Sequence, residues 1–207
     1  MVSRKLKSSE KDKISTSARR IVAKTYGFKQ SSYCNWIVKD GYIFIVYDLG
    51  SVSLRVKPLY FDDIFWEMLG IKDTMSGRAK GMQCVRAIKI AEYELPSIED
   101  NDYTKEKLVQ VWQTIFQDII GKIEDFLVEH PYVDKYEVHQ QDCYDVAPIM
   151  VLCHHGQYEE ALRTVEERMA QGEAGFVRTI DMSTMTEYTE FDKIKEYCEA
   201  KIAETRL

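Results

Sequence analysis

The sequence predicts an α+β fold, in which an antiparallel sheet of three to five strands is packed by an N-terminal helix and one long helix, with a helical C-terminal extension. Apolar residues recur at helical spacing in residues 10–26 and 104–129. Residues 33–57 lie between them and are rich in aromatic and β-branched residues with tight-turn signals. A chain of 207 residues that is 45% apolar can bury the core of such a fold.

The first helix is predicted over residues 10–26. Its apolar stripe consists of Ile14, Ala18, Ile21 and Val22, and the predicted outer face carries Lys13, Arg19, Arg20 and Lys24. Gly27 follows where a left-handed C-cap would end the helix. Residues 1–9 are polar and basic without a following apolar run, which predicts a disordered tail and no export signal.

Three strands of an antiparallel meander are predicted next. Tyr33–Val38 and Tyr42–Tyr47 flank an Asp-Gly pair that favours a two-residue hairpin turn. Ile43–Val46 is apolar on both faces, which predicts a central strand covered on both sides. Ser51–Lys57 alternates strictly, so a half-exposed strand is predicted, with its polar residues on the open side.

The segment after the meander is less regular. Asp62 is predicted to cap a short helix that ends at Leu69, and residues 71–82 form a polar loop. Residues 84–93 fit a fourth strand with poor alternation, and a helix over residues 79–92 is the alternative.

The longest predicted element is a helix over Thr104–Glu129, which follows an acidic linker at residues 96–102 and stops before Pro131. Its apolar stripe consists of Leu108, Val111, Trp112, Ile115, Ile119, Ile123, Phe126 and Leu127. Further helices are predicted over Val146–His154, Tyr158–Gln171 and Glu187–Glu204.

Charge is segregated along the chain. Residues 1–90 carry 17 Lys and Arg against 8 Asp and Glu, a net charge of +9, whereas residues 91–207 carry 11 against 26, a net charge of −15. We therefore divide the chain into a basic sheet portion (10–95) and an acidic helical portion (96–207) that dock as one compact domain. Opposite charge predicts attraction between the two portions or to a partner.

The five cysteines are Cys34, Cys84, Cys143, Cys153 and Cys198. Their odd number and wide spacing do not form a disulfide framework, so we expect reduced thiols and a cytoplasmic protein. No apolar run approaches the roughly 18 residues of a membrane span, and no membrane partner is expected.

The soft metal ligands cluster at Cys153, His154 and His155, with Cys143 or Asp142 as further candidates. Neighbouring helical residues point about 100° apart, so one ion cannot easily use both histidines. Histidines at the C-terminal end of a helix dipole are the favoured interpretation. No metal or other cofactor is therefore predicted, although the sequence leaves open whether a pocket assembles these residues into a site.

Catalytic motifs are also weak. No G-x-S-x-G pattern occurs, and the loop Ser76–Gly81 lacks the spacing of a phosphate-binding P-loop. The carboxylate pairs Asp62-Asp63 and Glu166-Glu167 are typical of helix caps and solvated helix faces. The prediction is therefore that no catalytic or cofactor-binding residue can be assigned.

A nucleic-acid interface is a weaker alternative. Its candidate cations are Arg4, Lys5, Lys7, Arg19, Arg20, Lys24, Arg55 and Lys57, with Tyr33, Trp36, Tyr42 and Phe44 as neighbouring aromatics. The acidic composition, with a pI of about 5.4, disfavours binding to phosphate. We expect the acidic portion to cover these cations.

Two resemblances are carried by short motifs. Gly156, Tyr158, Ala161 and Leu162 make residues 147–171 resemble one tetratricopeptide helical hairpin, but Val165 and Arg168 depart from that pattern and no second repeat follows. Residues 10–57, with Gly27-Phe28-Lys29 after the basic helix, resemble uncharacterised bacterial α+β domains, some of which are found beside toxin and immunity genes. The first resemblance implies an isolated helical hairpin, and the second provides no catalytic residue that can be assigned to this chain.

The favoured hypothesis is a non-enzymatic binding protein of the bacterial cytoplasm, whose acidic helical surface meets a basic protein as an immunity protein meets a cationic toxin. The alternative is an enzyme with a dispersed site between sheet and helices, which uses His154, His155, Cys153 or a carboxylate. The sequence leaves the oligomeric state open.

Overall fold

The computed structural model describes residues 6–30, 34–49, 51–68, 87–136, 146–175 and 178–206, and it confirms the α+β prediction. The elements in chain order are α1 (Ser8–Thr25), β1 (Lys29–Gln30), β2 (Cys34–Lys39), β3 (Tyr42–Leu49), β4 (Ser51–Pro58), α2 (Tyr60–Met68), β5 (Ile88–Tyr93), α3 (Lys105–Glu129), α4 (Ala147–His154), α5 (Tyr158–Ala170), β6 (Arg178–Asp181), β7 (Thr186–Thr189) and α6 (Glu190–Thr205). Predictions for residues 1–5, Tyr33, Leu69, the loop at 71–82, Cys84, Asp142 and Cys143 lie outside the described residues.

The main sheet has five strands in the order β1-β2-β3-β4-β5, and every neighbouring pair is antiparallel. The predicted hairpin turn is confirmed, because Asp40 and Gly41 both have positive φ angles (50° and 81°). Strand β3 is central as predicted, and Ile43–Val46 is at most 4% exposed. For residues 84–93 the strand alternative is correct over Ile88–Tyr93.

Helices α1 and α3 pack against each other, and α3 also contacts the sheet. Phe116 of α3 stacks on Tyr26 and meets Phe28 edge-on after the C-terminal end of α1. Phe126 meets Phe44 of β3 edge-on, with ring centroids 5.6 Å apart. Aromatic packing therefore fixes the long helix to both the first helix and the sheet.

Three predictions of exposure were wrong. Ser53 and Lys57 of β4 are buried, because they lie on the sheet face that also buries Trp36 and Ile45. Arg19, predicted on the outer face of α1, is 2% exposed, because its guanidinium pairs with Asp48 of β3 at 2.6 Å.

The predicted N-terminal boundaries of two helices were also wrong. Asp62 does not cap α2, because the helix begins at Tyr60 and places Asp62 inside its first turn. The last helix begins at Glu190 rather than Glu187, because the capping box of Thr189 and Asp192 starts it there. The residues before it form β7, which pairs with β6 in a two-stranded hairpin that the sequence analysis missed.

The chain divides into two compact units. The first comprises residues 1–58 and 79–136 and holds the five-stranded sheet, α1 and α3. The second comprises residues 59–78 and 137–207 and holds α2, α4, α5, α6 and the β6–β7 hairpin. The predicted portions, 10–95 and 96–207, were drawn from charge, and α3 of the acidic portion packs within the first unit.

Candidate protein-binding surface

The cluster of candidate metal ligands that the sequence analysis disfavoured, Cys153, His154 and His155, lies at the end of α4 in the second unit. Cys153 is buried with its sulfur 3.8 Å from the sulfur of Cys198 on α6. His154 stacks flat on Tyr60 of α2, with ring centroids 3.8 Å apart and an interplanar angle of 5°. The side chains of Cys153 and His154 therefore pack on different neighbours.

This arrangement does not suit nucleophilic catalysis by Cys153. Hydrogen bonding with Cys198 and then burial raise the pKa of the Cys153 thiol well above its ordinary value. A nucleophilic cysteine needs the opposite shift, since the thiolate is the reactive form. In the described part of the chain, no group of three or more His, Cys, Asp or Glu residues is placed to hold a metal ion.

The candidate cations of the nucleic-acid alternative do not all reach the surface. Arg19 and Lys57 are buried, so neither presents its charge to a large ligand. The aromatic residues Trp36, Tyr42 and Phe44 are also buried and cannot stack on bases. Arg20 and Lys24 stay exposed on α1.

Acidic residues dominate the second unit, which has 9 Lys and Arg against 19 Asp and Glu, whereas the first unit has 19 against 15. On helices α5 and α6, however, most carboxylates are close to a cation. Lys195 lies 2.7 Å from Glu166 and 3.9 Å from Glu199, and its hydrogen bond to Glu166 raises the pKa of its amine. Further pairs on these helices are Arg163–Glu160, Lys193–Glu196, Lys201–Glu204 and Arg206–Glu159.

The C-terminal end of α3 is different. Its carboxylates Glu124, Asp125 and Glu129 are exposed, and none forms an ion pair within the described residues. Positions 121, 124, 125 and 128 share one helix face, because they follow the i, i+3, i+4, i+7 spacing. We call the patch the acidic end surface, and it consists of Gly121, Glu124, Asp125, Val128, Glu129 and Tyr132.

Two large apolar side chains are also exposed here: Val128 lies on the helix face of the acids, and Tyr132 follows the end of α3 by three residues. Val128 is 81% exposed and Tyr132 is 64% exposed, although most apolar residues of α3 face the core. The Lys135 amine lies 5.1 Å from the centre of the Tyr132 ring, so this ring already contacts one cation. The surface thus combines apolar anchors with negative charge.

The backbone beneath the acidic end surface is held by tight packing. Phe126 and Tyr136 each meet the buried ring of Tyr42 edge-on, with centroids 5.2 Å and 5.5 Å apart. Val133 packs on the Asp40-Gly41 turn so closely that a Cβ added to Gly41 would lie 2.7 Å from it. The segment that carries Tyr132 is therefore fixed to the β2–β3 hairpin, which preorganises the surface.

Gly121 lies in the interior of the 25-residue helix α3, where glycine is less favourable than alanine by about 1 kcal/mol. No described atom outside its local backbone lies within 4 Å of the position that its Cβ would occupy. Packing among the described residues therefore does not explain this glycine.

Sequence reasoning missed the acidic end surface, although signals for it were present. Val128 falls outside the apolar stripe of the predicted helix. Acids at a helix C-terminus are unfavourable, because the dipole is negative there, and no basic residue occupies the last turn of α3. An exposed apolar side chain and acids at a helix C-terminus are both locally unfavourable, and no contact among the described residues offsets them. Such exceptions are typical of functional positions.

No protein-family model matches this sequence, and neither a curated protein nor a solved structure is significantly similar to it. In the described part of the chain, no helix combines the length and apolar character needed to cross a bilayer.

Proposed function

We propose that this protein binds a basic segment of another protein on its acidic end surface. The observation that carries the proposal is the exposure of Val128 on the helix face that holds Glu124 and Asp125, followed by the exposed Tyr132 after the helix end. The carboxylates of this surface form no ion pair within the described residues. An amphipathic cationic segment would cover the apolar side chains and neutralise the acids together.

The apolar side chains would supply much of the affinity. Full burial of one aliphatic or aromatic side chain is worth about 1.5–3 kcal/mol. Tyr132 combines a large ring with a polar hydroxyl, as binding hot spots commonly do. Because the helix and the contact of Val133 with Gly41 fix the backbone that carries both side chains, little backbone entropy would be lost on binding.

The carboxylates would set the rate and the choice of partner. Three exposed acids add to the negative end of the α3 dipole, and a helix end with this charge attracts cations. The same charges repel acidic proteins, which gives selectivity. Their unfavourable placement in the free protein supports a role in binding.

Gly121 supports a close approach on the same helix face. A side chain at this position would stand between α3 and a partner, whereas glycine lets the partner backbone approach the helix. The proposed contact therefore runs from Gly121 through Val128 to Tyr132.

The resemblance of residues 10–57 to domains found beside toxin and immunity genes suggests a more specific form of this proposal. In that form the protein has an immunity-like role, and its basic partner is a cationic toxin. A cytoplasmic location belongs to the same proposal and is supported by the buried thiols of Cys153 and Cys198, whose sulfurs lie 3.8 Å apart without a disulfide.

The first experiment is affinity capture from source cells with two matched variants. E124Q/D125N/E129Q neutralises the acidic end surface, and E159Q/E166Q/E167Q removes the same charge from α5 in the second unit. We expect the first variant to lose a basic partner that wild type and the second variant retain. Retention of every captured protein by the first variant would contradict the proposal.

The captured partner then allows a kinetic test. We expect its association rate to fall by roughly tenfold or more between low and physiological ionic strength, because exposed charges are screened over about 8–10 Å. An association rate that does not depend on salt would exclude steering by these carboxylates.

A Gly121→Ala substitution separates binding from stability. Alanine should raise the free energy of unfolding by about 0.5–1 kcal/mol, because it favours the helix and its Cβ meets no atom. The same substitution should weaken partner binding at least several-fold. A more stable protein with unchanged affinity would place the partner elsewhere.

A further inference from the structure

A groove on α1 carries positive charge that no ion pair neutralises within the described residues. It has a volume of about 580 Å³, and its lining includes Lys13, Thr16, Ser17, Arg20, Lys24 and Lys105. The four cations form no ion pair within the described residues and are exposed to solvent. This contrasts with α5 and α6, where cations lie beside carboxylates.

We propose that this groove binds the phosphate backbone of a nucleic acid without reading its sequence. Lys13, Arg20 and Lys24 follow one side of α1 over 11 residues, or about 16 Å at 1.5 Å per residue. That length matches about five phosphates of one strand at 3.4 Å each. Lys105 adds a fourth cation from the first turn of α3.

The neutral side chains of the groove suit phosphate as well. The hydroxyls of Thr16 and Ser17 lie between the cations and can donate hydrogen bonds to phosphate oxygens. Gln30 also lines the groove, and its side-chain nitrogen donates to the backbone oxygen of Arg20 at 2.8 Å, which ties the β1 strand to this side of α1.

One acid, Asp12, also lines the groove. It is close enough to Asp48 and Tyr103 for its charge to raise the pKa of both groups, a smaller effect than their burial. Four cations against one carboxylate leave the groove positive. Because none of its lining residues is aromatic, base stacking is not available and the contact is with the backbone.

The expectation that the acidic portion covers these cations is wrong for Arg20 and Lys24, which are exposed. Helix α3 does pack on α1, and Lys11 pairs with Asp100 at 2.5 Å. That contact leaves Arg20 and Lys24 exposed, so an acidic average for the whole chain does not describe this surface. The groove and the acidic end surface share no residue, so either proposal can fail while the other holds.

The test is fluorescence anisotropy with a labelled 20-nucleotide single strand and the matching duplex. We expect the full-length protein to bind both with a dissociation constant of roughly 1–100 μM near physiological salt. The logarithm of the binding constant should fall against the logarithm of salt concentration with a slope of about −3 to −4, because four cations displace counterions.

Two matched charge reversals locate the site. R20E/K24E should weaken binding at least tenfold and reduce the slope by about two, whereas K39E/K122E, which changes the net charge equally outside the groove, should change it less than threefold. Circular dichroism checks that both variants fold. No binding by wild type at low salt, or equal loss in both variants, would overturn the proposal.

Anionic vesicles and a phosphorylated peptide serve as competitors. Nucleic acid should remain bound when either is added at equal phosphate concentration. Tighter binding to vesicles or to phosphopeptide than to both nucleic acids would overturn the assignment of the ligand.

Discussion

The two acidic regions of this protein differ in whether their carboxylates are neutralised by nearby lysines and arginines. Helices α5 and α6 interleave carboxylates with lysines and arginines, as in the contacts of Lys195 with Glu166 and Glu199. The end of α3 has fewer acids, yet Glu124, Asp125 and Glu129 have no ion pair within the described residues. The net charge of a segment therefore does not show where a protein attracts a charged partner. That depends on which charged side chains already form ion pairs within the protein.

Arg19 and Asp48 form a further pair of opposite charges, and this one is buried. We expect its disruption to have the largest effect on the free energy of unfolding. Arg19→Ala should lower the free energy of unfolding by about 3 kcal/mol, because it leaves a largely buried carboxylate without its cation. Chemical denaturation at neutral pH measures this loss, and D48A in the same background should restore part of it. A cost below about 1 kcal/mol would mean that the pair behaves like a surface pair.

The cost of Arg19→Ala should also depend on pH. Burial already raises the pKa of Asp48, although Arg19 opposes the shift. Without Arg19 the pKa rises further, so the folded variant binds a proton more tightly than the unfolded chain. The variant therefore gains stability relative to wild type as pH falls, and a constant difference across pH 4–7 would contradict this account.

Tyr42, beneath the acidic end surface, offers the next largest effect. Burial and then the carboxylate of Asp134 raise the pKa of Tyr42 from 10.0 to about 12. The stability that its protonated form contributes is complete below pH 10 and is lost as pH rises toward 12, at up to about 1.4 kcal/mol per unit. Comparison of wild type with Tyr42→Phe over pH 9–12 measures this loss, and parallel curves would refute it.

A direct test of the comparison uses two nitroxide probes, one cationic and one neutral, at low salt. Backbone amide protons of residues 121–132 should relax several-fold faster with the cationic probe than with the neutral one, because local negative potential concentrates cations. Amides of α5 and α6 should show a smaller ratio. Equal ratios in the two regions would contradict a more negative potential at the end of α3 than at α5 and α6.

The smallest effect is expected for Lys195→Ala. Removal of this amine exposes the charges of Glu166 and Glu199, so the cationic probe should relax α5 more than it does in wild type. Stability should change far less than for Arg19→Ala, since both partners are solvent-exposed. An unchanged relaxation ratio would show that Lys195 does not neutralise this surface.

Local rules predicted much of the fold. The Asp40-Gly41 hairpin, the 25-residue helix α3 and the two-sided burial of β3 follow from turn chemistry and apolar spacing within short segments. The burial of Arg19 could not be predicted in this way, because its partner Asp48 is 29 residues away and pairs only when α1 lies on the sheet. Tertiary partners override a residue's usual exposure.

The sequence predicted the charge of the expected partner but not the position of the candidate surface. Excess acid in the second half favoured a basic partner, but the sequence could not separate the paired carboxylates of α5 and α6 from the unpaired ones of α3. The hairpin of β6 and β7 was missed because its strands have four residues each, too few for a periodic signal.

The order of the strands has a consequence for biosynthesis. Neighbours in the five-stranded sheet are also neighbours in the chain, so each strand can pair with the preceding one soon after it leaves the ribosome. The aromatic rings of α3 that cover Phe44 are translated after all five strands. During that interval Phe44 lacks the ring of Phe126 that covers it in the folded protein, so we expect this side of the nascent sheet to be prone to aggregation until residue 126 has emerged.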